Sequence, residues 1–592
     1  MSFITKIKKR IADGSLREII SETRWIYRHT RAYRKAIINF ILLGLLTNVL
    51  SLLLALASKE LINSIVFVGT NGHGGMHIAY YGIAMAFFAV GQVVFTAWVS
   101  RYSTKVNLRI NNELRAEVYS GFLGTEWSEL QHYHSGDLLS RVNTDTTNVA
   151  NSVLGWLPTL IVRSVQFLTS LLVILIYDPT MALIALLTAP VSLVVAKPFA
   201  SKMRAASKDM RAISSDMVAF HEETLQNAQP IKAMNLVDAF RAKQTAVQQL
   251  YYETADRFSR FSVFSSAFLS VVGLVVNYLC LGWGAYRLWL GKIDFGTMVL
   301  FIQLAGYLSS SLSALIKLVP SAIECTVSAQ RIMTILSLPR EDYSNADAVS
   351  SMDPQNFSLE LHSLSFSYHV GKPVLQNVTL TVAPQEMIAL IGSSGSGKTT
   401  LFRLLLALLH PSDGRLCLVS NGEEFDISPA TRSLFSYVPQ ENVIFSGSIA
   451  EMLRMVRPNA TDAEIYDALR IACADEFVSA LPDGIHSPLH ECGRSLSLGQ
   501  NQRLSIARAV LADAPIMLLD EVTSALDLDT EERVLQNIAA LPNKTCIIST
   551  HRPSVLSLCD RVYRIKKTHL EPVLPEDLEK MLHRSADERK KQ

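Results

Sequence analysis

The chain has 592 residues, of which 49% are hydrophobic and only 18% charged, and its mean hydropathy is +0.23. Soluble domains average about 25% charged residues, so a string of soluble domains is disfavoured, and disordered, collagenous and disulfide-stapled chains are excluded. Lys and Arg number 55 against 53 Asp and Glu, and a net charge of +2 gives no bulk attraction to nucleic acid.

The N-terminal arm, 1–35, is basic, with Lys6, Lys8, Lys9, Arg10, Arg17, Arg24, Arg28, Arg31, Arg34 and Lys35. It predicts a helix lying along the inner membrane surface, and the apolar run behind it is too long for a cleavable signal peptide. Apolar stretches follow at about 36–60, 78–99, 155–177, 181–199, 262–285 and 297–319. Each approaches or exceeds the roughly 20 helical residues that cross a hydrocarbon core. Lys and Arg crowd the arm and the segments after the second and fourth stretches, whereas 63–77 has none. That bias places both termini in the cytosol, with only Arg287 and Lys292 running against it.

Segments 100–154 and 198–261 are too long for turns and carry helical periodicity, as in Leu114, Val118, Phe122 and Leu123. They are predicted as spanning helices that continue into the cytosol, reverse and return. Arg163 inside the third stretch and Lys317 near the end of the sixth are candidate substrate contacts, because intramembrane charge is functional by default. Pairing within the bundle for Arg163 and snorkelling for Lys317 are the competing readings. His132 and His134 resemble a metal pair only superficially, and none of the seven cysteines forms a CxxC. A Pro-, Asp-, Ser- and Asn-rich linker, 336–356, separates the membrane domain, 36–335, from a soluble domain, 357–583, with a basic tail at 584–592.

In the soluble domain, Gly392, Ser393, Ser394, Gly395, Ser396, Gly397, Lys398 and Thr399 follow the apolar strand Met387–Ile391 and open a helix through Thr400. This is the strand–loop–helix context of a P-loop. Its glycines let backbone N–H groups turn onto phosphate oxygens, Lys398 reaches the β- and γ-phosphates, and Thr399 offers a hydroxyl to Mg²⁺. A second buried strand, 516–519, ends in Asp520 and Glu521. Carboxylates at a parallel strand's C-terminal end face the ligand crevice, so Asp520 suits the Mg²⁺ shell and Glu521 suits the deprotonation of attacking water.

With these motifs the domain resembles the nucleotide-binding domain of an ABC transporter. The family's Leu-Ser-Gly-Gly-Gln signature reads Leu496-Ser497-Leu498-Gly499-Gln500, followed by a helix. The resemblance implies that Ser497, Gly499 and Gln500 cover the ATP held by another subunit. A positive φ at the Leu498 position would cost about 1 kcal/mol or more. By the same resemblance Tyr368 stacks on adenine, Gln440 senses Mg²⁺ and γ-phosphate, Asp527 lies on the loop between the two ATP sites, and His551 contacts the γ-phosphate.

The resemblance extends to the membrane half. His134–Arg141 with Asp145, and Glu222–Asn235, are similar to the stretches at the two cytosolic coupling segments of exporter-type ABC proteins. It implies a half-transporter: a polytopic membrane domain of six transmembrane helices with long cytosolic extensions, fused to an α/β P-loop ATPase. Such a chain is expected to work as a dimer, a homodimer being favoured over a heterodimer, in the lipid bilayer of a bacterial inner or plasma membrane. ATP and Mg²⁺ are the expected ligands. Export or flipping of an amphiphilic, lipid, peptide or drug-like substrate is the leading expectation. An importer on the same architecture, for instance of a metal chelate, is the second, and a non-transporting ATPase the third.

Overall fold

The computed structural model describes Trp25, 30–71, 75–353, 356–369, 371–441, 443–489, 496–522, 525–550 and 552–578. Most of the N-terminal arm and the whole basic tail therefore lie outside the described residues. The chain divides into two units, 1–122 with 135–337 and 123–134 with 338–592.

The first unit is helical. Its long helices are α1 (Arg34–Asn71), α2 (Gly75–Leu123), α3 (Leu157–Tyr177), α4 (Pro179–Gln226), α5 (Val237–Trp289) and α6 (Phe295–Leu336). Segments Arg31–Gly69, Gly75–Leu123, Ser135–Tyr177 and Phe295–Leu315 are long and apolar enough to cross a membrane. The predicted stretches 181–199 and 262–285 fall on α4 and α5, where many side chains lie outside the described residues.

The helix starts follow local chemistry. Asp178 caps α4 by accepting from the Thr180 N–H, with Pro179 at the first helical position, and Asp294 caps α6 through the Thr297 N–H. Each side chain satisfies a backbone donor that the first turn leaves unpaired.

Ile174, Met181, Leu300, Phe301 and Leu304 pack into one core cluster of this unit. Polar side chains stitch the helices: Asn48 Nδ2 donates to the Val162 carbonyl at 2.9 Å, Gln92 Nε2 to Ser51 Oγ at 3.0 Å, and Gln303 Nε2 to Ser58 Oγ at 3.2 Å. Gly296 is required where α6 meets α1, since a Cβ there would stand 2.3 Å from the Lys59 carbonyl oxygen. Arg287, which broke the charge bias, donates from Nε to Asp178 Oδ2 at 2.6 Å. Arg163 donates to Gln166 Oε1 at 2.7 Å, one turn along the same helix α3. The side chain of Lys317 is outside the described residues.

The His134–Asp145 stretch contains a π-helical turn, Arg141–Asp145. Arg331 of α6 bridges Asp137 and Asp145, Ser328 Oγ donates to Asp145 Oδ1 at 2.8 Å, and Arg141 donates to the Arg331 carbonyl at 2.7 Å. The second excursion reverses through a short helix, Ala228–Ala233, with Asn235 at positive φ before α5.

The second unit is α/β. An antiparallel sheet of β1 (Phe357–His369), β2 (Lys372–Val382), β4 (Asp413–Ser420) and β5 (Glu423–Asp426) has the order β2-β1-β4-β5. The other sheet contains β3 (Met387–Ile391), β6 (Phe435–Val438), β7 (Ile516–Asp520), β8 (Thr545–Ser549), β9 (Arg561–Lys566) and β10 (His569–Pro572), in the order β10-β9-β3-β8-β7-β6. All its pairings are parallel except β9 with β10. Every residue of β3, β7 and β8 is buried, which explains their continuous apolar runs. Residues 123–134 join this unit: the Glu126 N–H donates to the Pro339 carbonyl, and the Glu341 N–H to the Gly124 carbonyl.

Candidate nucleotide site

The chain leaves β3 at Gly392, where a Cβ would lie 2.6 Å from Ser396 Oγ and 2.9 Å from the Ile565 carbonyl oxygen. Gly395 and Gly397 take φ of +77° and +111°, so the loop's path suits glycine. The Ser396 N–H closes the turn on the Ser393 carbonyl at 3.0 Å, and helix α7 (Lys398–Leu405) starts at once. Its first N–H groups have no intrahelical acceptor, which favours an anion there. Lys398 Nζ folds back to donate to the Gly392 carbonyl at 2.9 Å and lies 3.3 Å from Glu521 Oε1. Ser396 Oγ is buried and has no hydrogen-bond partner among the described residues.

Parallel pairing of β3, β8, β7 and β6 brings their C-terminal ends to one edge, where Ser549, Asp520, Glu521 and Gln440 arrive. Asp520 is fully buried. Burial pushes its carboxyl above the usual range, against the opposing pull of hydrogen bonds with Ser549 and Thr399 and of the Lys398 charge. Ser549 Oγ donates to Asp520 Oδ1 at 2.7 Å, while Oδ2 lacks a hydrogen-bond partner among the described residues. A buried carboxylate with one such oxygen, on a side chain that also interacts with Thr399, fits a hard cation such as Mg²⁺, which takes one or two carboxylates and completes its shell with phosphates and water.

Glu521 adopts φ of +51°, a left-handed backbone uncommon for a side chain of this kind. Its N–H donates to the Ser549 carbonyl at 3.1 Å, and its Oε2 accepts from Gln440 Nε2 at 2.9 Å. Lys398, Gln440 and Glu521, far apart in sequence, therefore converge at the mouth of the P-loop.

The signature opens helix α8 (Leu498–Leu511) with a reciprocal cap: Ser497 Oγ accepts from the Gln500 N–H, and Gln500 Oε1 from the Ser497 N–H. Leu498 is the first helical residue, absent from the positive-φ positions, so the backbone cost considered for it does not arise. Gly499 is the constrained position, because a Cβ there would stand 2.9 Å from the Ala525 carbonyl oxygen. Asp527 caps helix α9 (Leu528–Ala539) by accepting from the Thr530 N–H at 3.0 Å, and that backbone bond holds its carboxyl below the usual range.

Tyr368 is half-exposed, edge-on to Phe366 at 4.9 Å, with its hydroxyl 3.3 Å from Thr400 Oγ1. His551 lies outside the described residues. Sequence reasoning passed over Ser549. The signal available was strand register, since β7 and β8 pair Asp520 with Ser549.

Comparison with known proteins bears on the same regions. Residues 37–312 match the ABC transporter transmembrane region, and 375–524 match the family described as ABC transporter. A Rickettsia prowazekii protein named as an export ATP-binding/permease protein is 30% identical over 475 residues, 79% of this chain and 81% of the relative. This chain belongs to the ABC transporter family. A Rickettsia bellii export ATP-binding/permease relative is 27% identical across 95% of this transporter and 99% of its own length. A Staphylococcus aureus relative named for multidrug export is 25% identical across 91% and 94%. The solved structure of a bacterial Atm1-family ABC exporter with ATP bound aligns with a TM-score of 0.80 at 21% identity, over 93% of this chain and 98% of that one. Its fold is the fold of this transporter: a helical membrane domain and a C-terminal ATPase. The chain is an exporter-type half-transporter that couples ATP hydrolysis to transport.

Proposed function

We propose that this transporter exports or flips an amphiphilic substrate as a homodimer, closing two ATP molecules between its ATPase domains. The convergence of Lys398, Gln440 and Glu521 at the P-loop mouth carries the reading. Lys398 balances the charge of the β- and γ-phosphates, Tyr368 stacks on adenine, and residues 392–400 cradle the phosphates. Glu521, aligned by Gln440, accepts a proton from the attacking water, and His551 has the role of contacting the γ-phosphate. Thr399, Asp520 and Gln440 would hold Mg²⁺, which supplies charge neutralisation to the phosphates when bound. Ser497, Gly499 and Gln500 of one chain cover the nucleotide of its partner, and Asp527 lies between the two sites. Closure is favoured because the nucleotide binds the closed state better than the open one.

Homodimerisation is supported by the presence in one chain of Lys398, Asp520 and Glu521 and by an unstrained Leu498, which together leave two equivalent sites. The names of the relatives support export, and the charge bias supports a cell membrane with both termini cytoplasmic. The domain limits proposed are 36–335 for the membrane domain and 357–583 for the ATPase, flanked by the arm, the linker and the tail. In the protein reconstituted in lipid vesicles, Glu521→Gln is expected to abolish ATP turnover and ATP-driven movement of an amphiphile while retaining ATP binding. Unchanged turnover in that variant would remove Glu521 from its role.

A further inference from the structure

Gln502 belongs to none of the nucleotide contacts above, yet it is almost completely buried, on the second turn of α8. Its Oε1 accepts from the Ala525 N–H at 3.2 Å, and its Nε2 faces the Glu521 carbonyl at 3.5 Å. Turning the amide over would set acceptor against acceptor and donor against donor, so the partners dictate its orientation. Two further contacts clasp the same stretch. Gly499 lets α8 close on the Ala525 carbonyl. Arg552 Nη1 donates to the Leu526 carbonyl at 3.3 Å and pairs with the buried Glu531 at 2.6 Å. Glu521 itself holds φ of +51°, a conformation that persists only where the surroundings over-determine it.

We propose that Gln502 is a positioning residue that ties this chain's signature helix to its own Glu521. The inference rests on the proposed reading that Glu521 is the base and that the signature serves the partner's nucleotide. The N-terminal tip of α8 then answers to one nucleotide, while the carboxylate whose backbone Gln502 grips acts on the other. A shift of α8 on closure reaches the Glu521 carbonyl through one buried amide and alters the aim of its side chain. Gln502 touches no nucleotide in this scheme. Its effect is on the alignment of Glu521 and on the coupling between the two sites, which appears as cooperativity in ATP.

The test uses the full-length transporter in lipid and measures ATP turnover against ATP concentration, with nucleotide affinity measured separately. Gln502→Met keeps the volume and removes both amide contacts. Maximal turnover is expected to fall about ten- to a hundredfold, as for other misaligned catalytic groups, with nucleotide affinity unchanged and the Hill coefficient reduced to the non-cooperative value. Gln502→Asn, one methylene shorter, serves if the Met variant does not fold, and the same results are expected of it. Wild-type turnover and cooperativity in a folded variant would overturn the proposal, as would equal losses of affinity and turnover. Glu521→Gln is measured alongside: turnover retained there defeats the base assignment itself, a result distinct from an unaffected Gln502 variant.

Discussion

Helix α2 turns Ile83, Phe87, Val93 and Trp98 outward, each more than half exposed, whereas strands β3 and β7 keep every residue buried. The residue types are alike and the solvents differ. In the membrane unit lipid takes the apolar side chains, so helix-to-helix specificity falls to small and polar groups such as Gly296, Asn48 and Gln92. In the ATPase unit water expels the same residues into a sheet, and the strand ends become the place where polar chemistry collects. Polar burial also differs in purpose. Asp178 is fully buried and paired with Arg287 at 2.6 Å, a structural arrangement. Asp520 is fully buried with one oxygen unpartnered among the described residues, which suits a ligand.

The contrast breaks most visibly at Asp520. Its folded carboxyl is raised above the unfolded value, so the neutral form is favoured by the fold. Stability from this group is present at low pH and falls as pH rises through the raised value. Ionisation of the side chain is therefore a cost to the nucleotide-free fold. Asp520→Asn is expected to abolish Mg²⁺-dependent ATP turnover while raising the unfolding temperature of the nucleotide-free transporter, and the gain should shrink in acid. Turnover assays and thermal unfolding at two pH values check this. Lowered stability at neutral pH would place Asp520 in a structural class with Asp178.

The membrane unit should respond in the opposite sense. Arg287→Ala leaves the buried Asp178 carboxylate without its guanidinium, and the expected loss is about 3 kcal/mol of stability. ATP binding should persist wherever the protein remains folded. Thermal unfolding in lipid, read beside nucleotide binding, measures both, and the double variant with Asp178→Asn should recover most of the loss. An unaltered unfolding temperature would show that this ion pair contributes nothing.

Much of the site was legible in the sequence because phosphate binding constrains the backbone. Gly392 cannot carry a Cβ, Gly395 and Gly397 need positive φ, and those demands leave glycines at readable spacing. Asp520 and Glu521 were legible through the apolar strand before them. The helical class of the membrane domain followed from runs of hydrophobicity, whereas the full lengths of α2, α4 and α5, 49, 48 and 53 residues, extend through polar segments where only helical periodicity marked them. What stayed hidden depends on register between distant segments. Ser549 meets Asp520 through strand pairing, Gln502 reaches Glu521 and Ala525 across a helix–loop contact, and Arg287 finds Asp178 at a separation of 109 residues. The misgiving over Leu498 arose for the same reason: a helix start tolerates leucine, and Gly499 is where the Ala525 carbonyl comes close.

The composite site is tested most directly by mixing two inactive chains, one carrying Lys398→Ala and the other Ser497→Arg, and measuring vanadate-trapped nucleotide in the reconstituted protein. If the P-loop of one chain works with the signature of its partner, the mixed dimer has one site in which both elements are intact. It should trap nucleotide although neither variant does so alone. Trapping no higher in the mixture than in either parent would contradict a site shared between two chains.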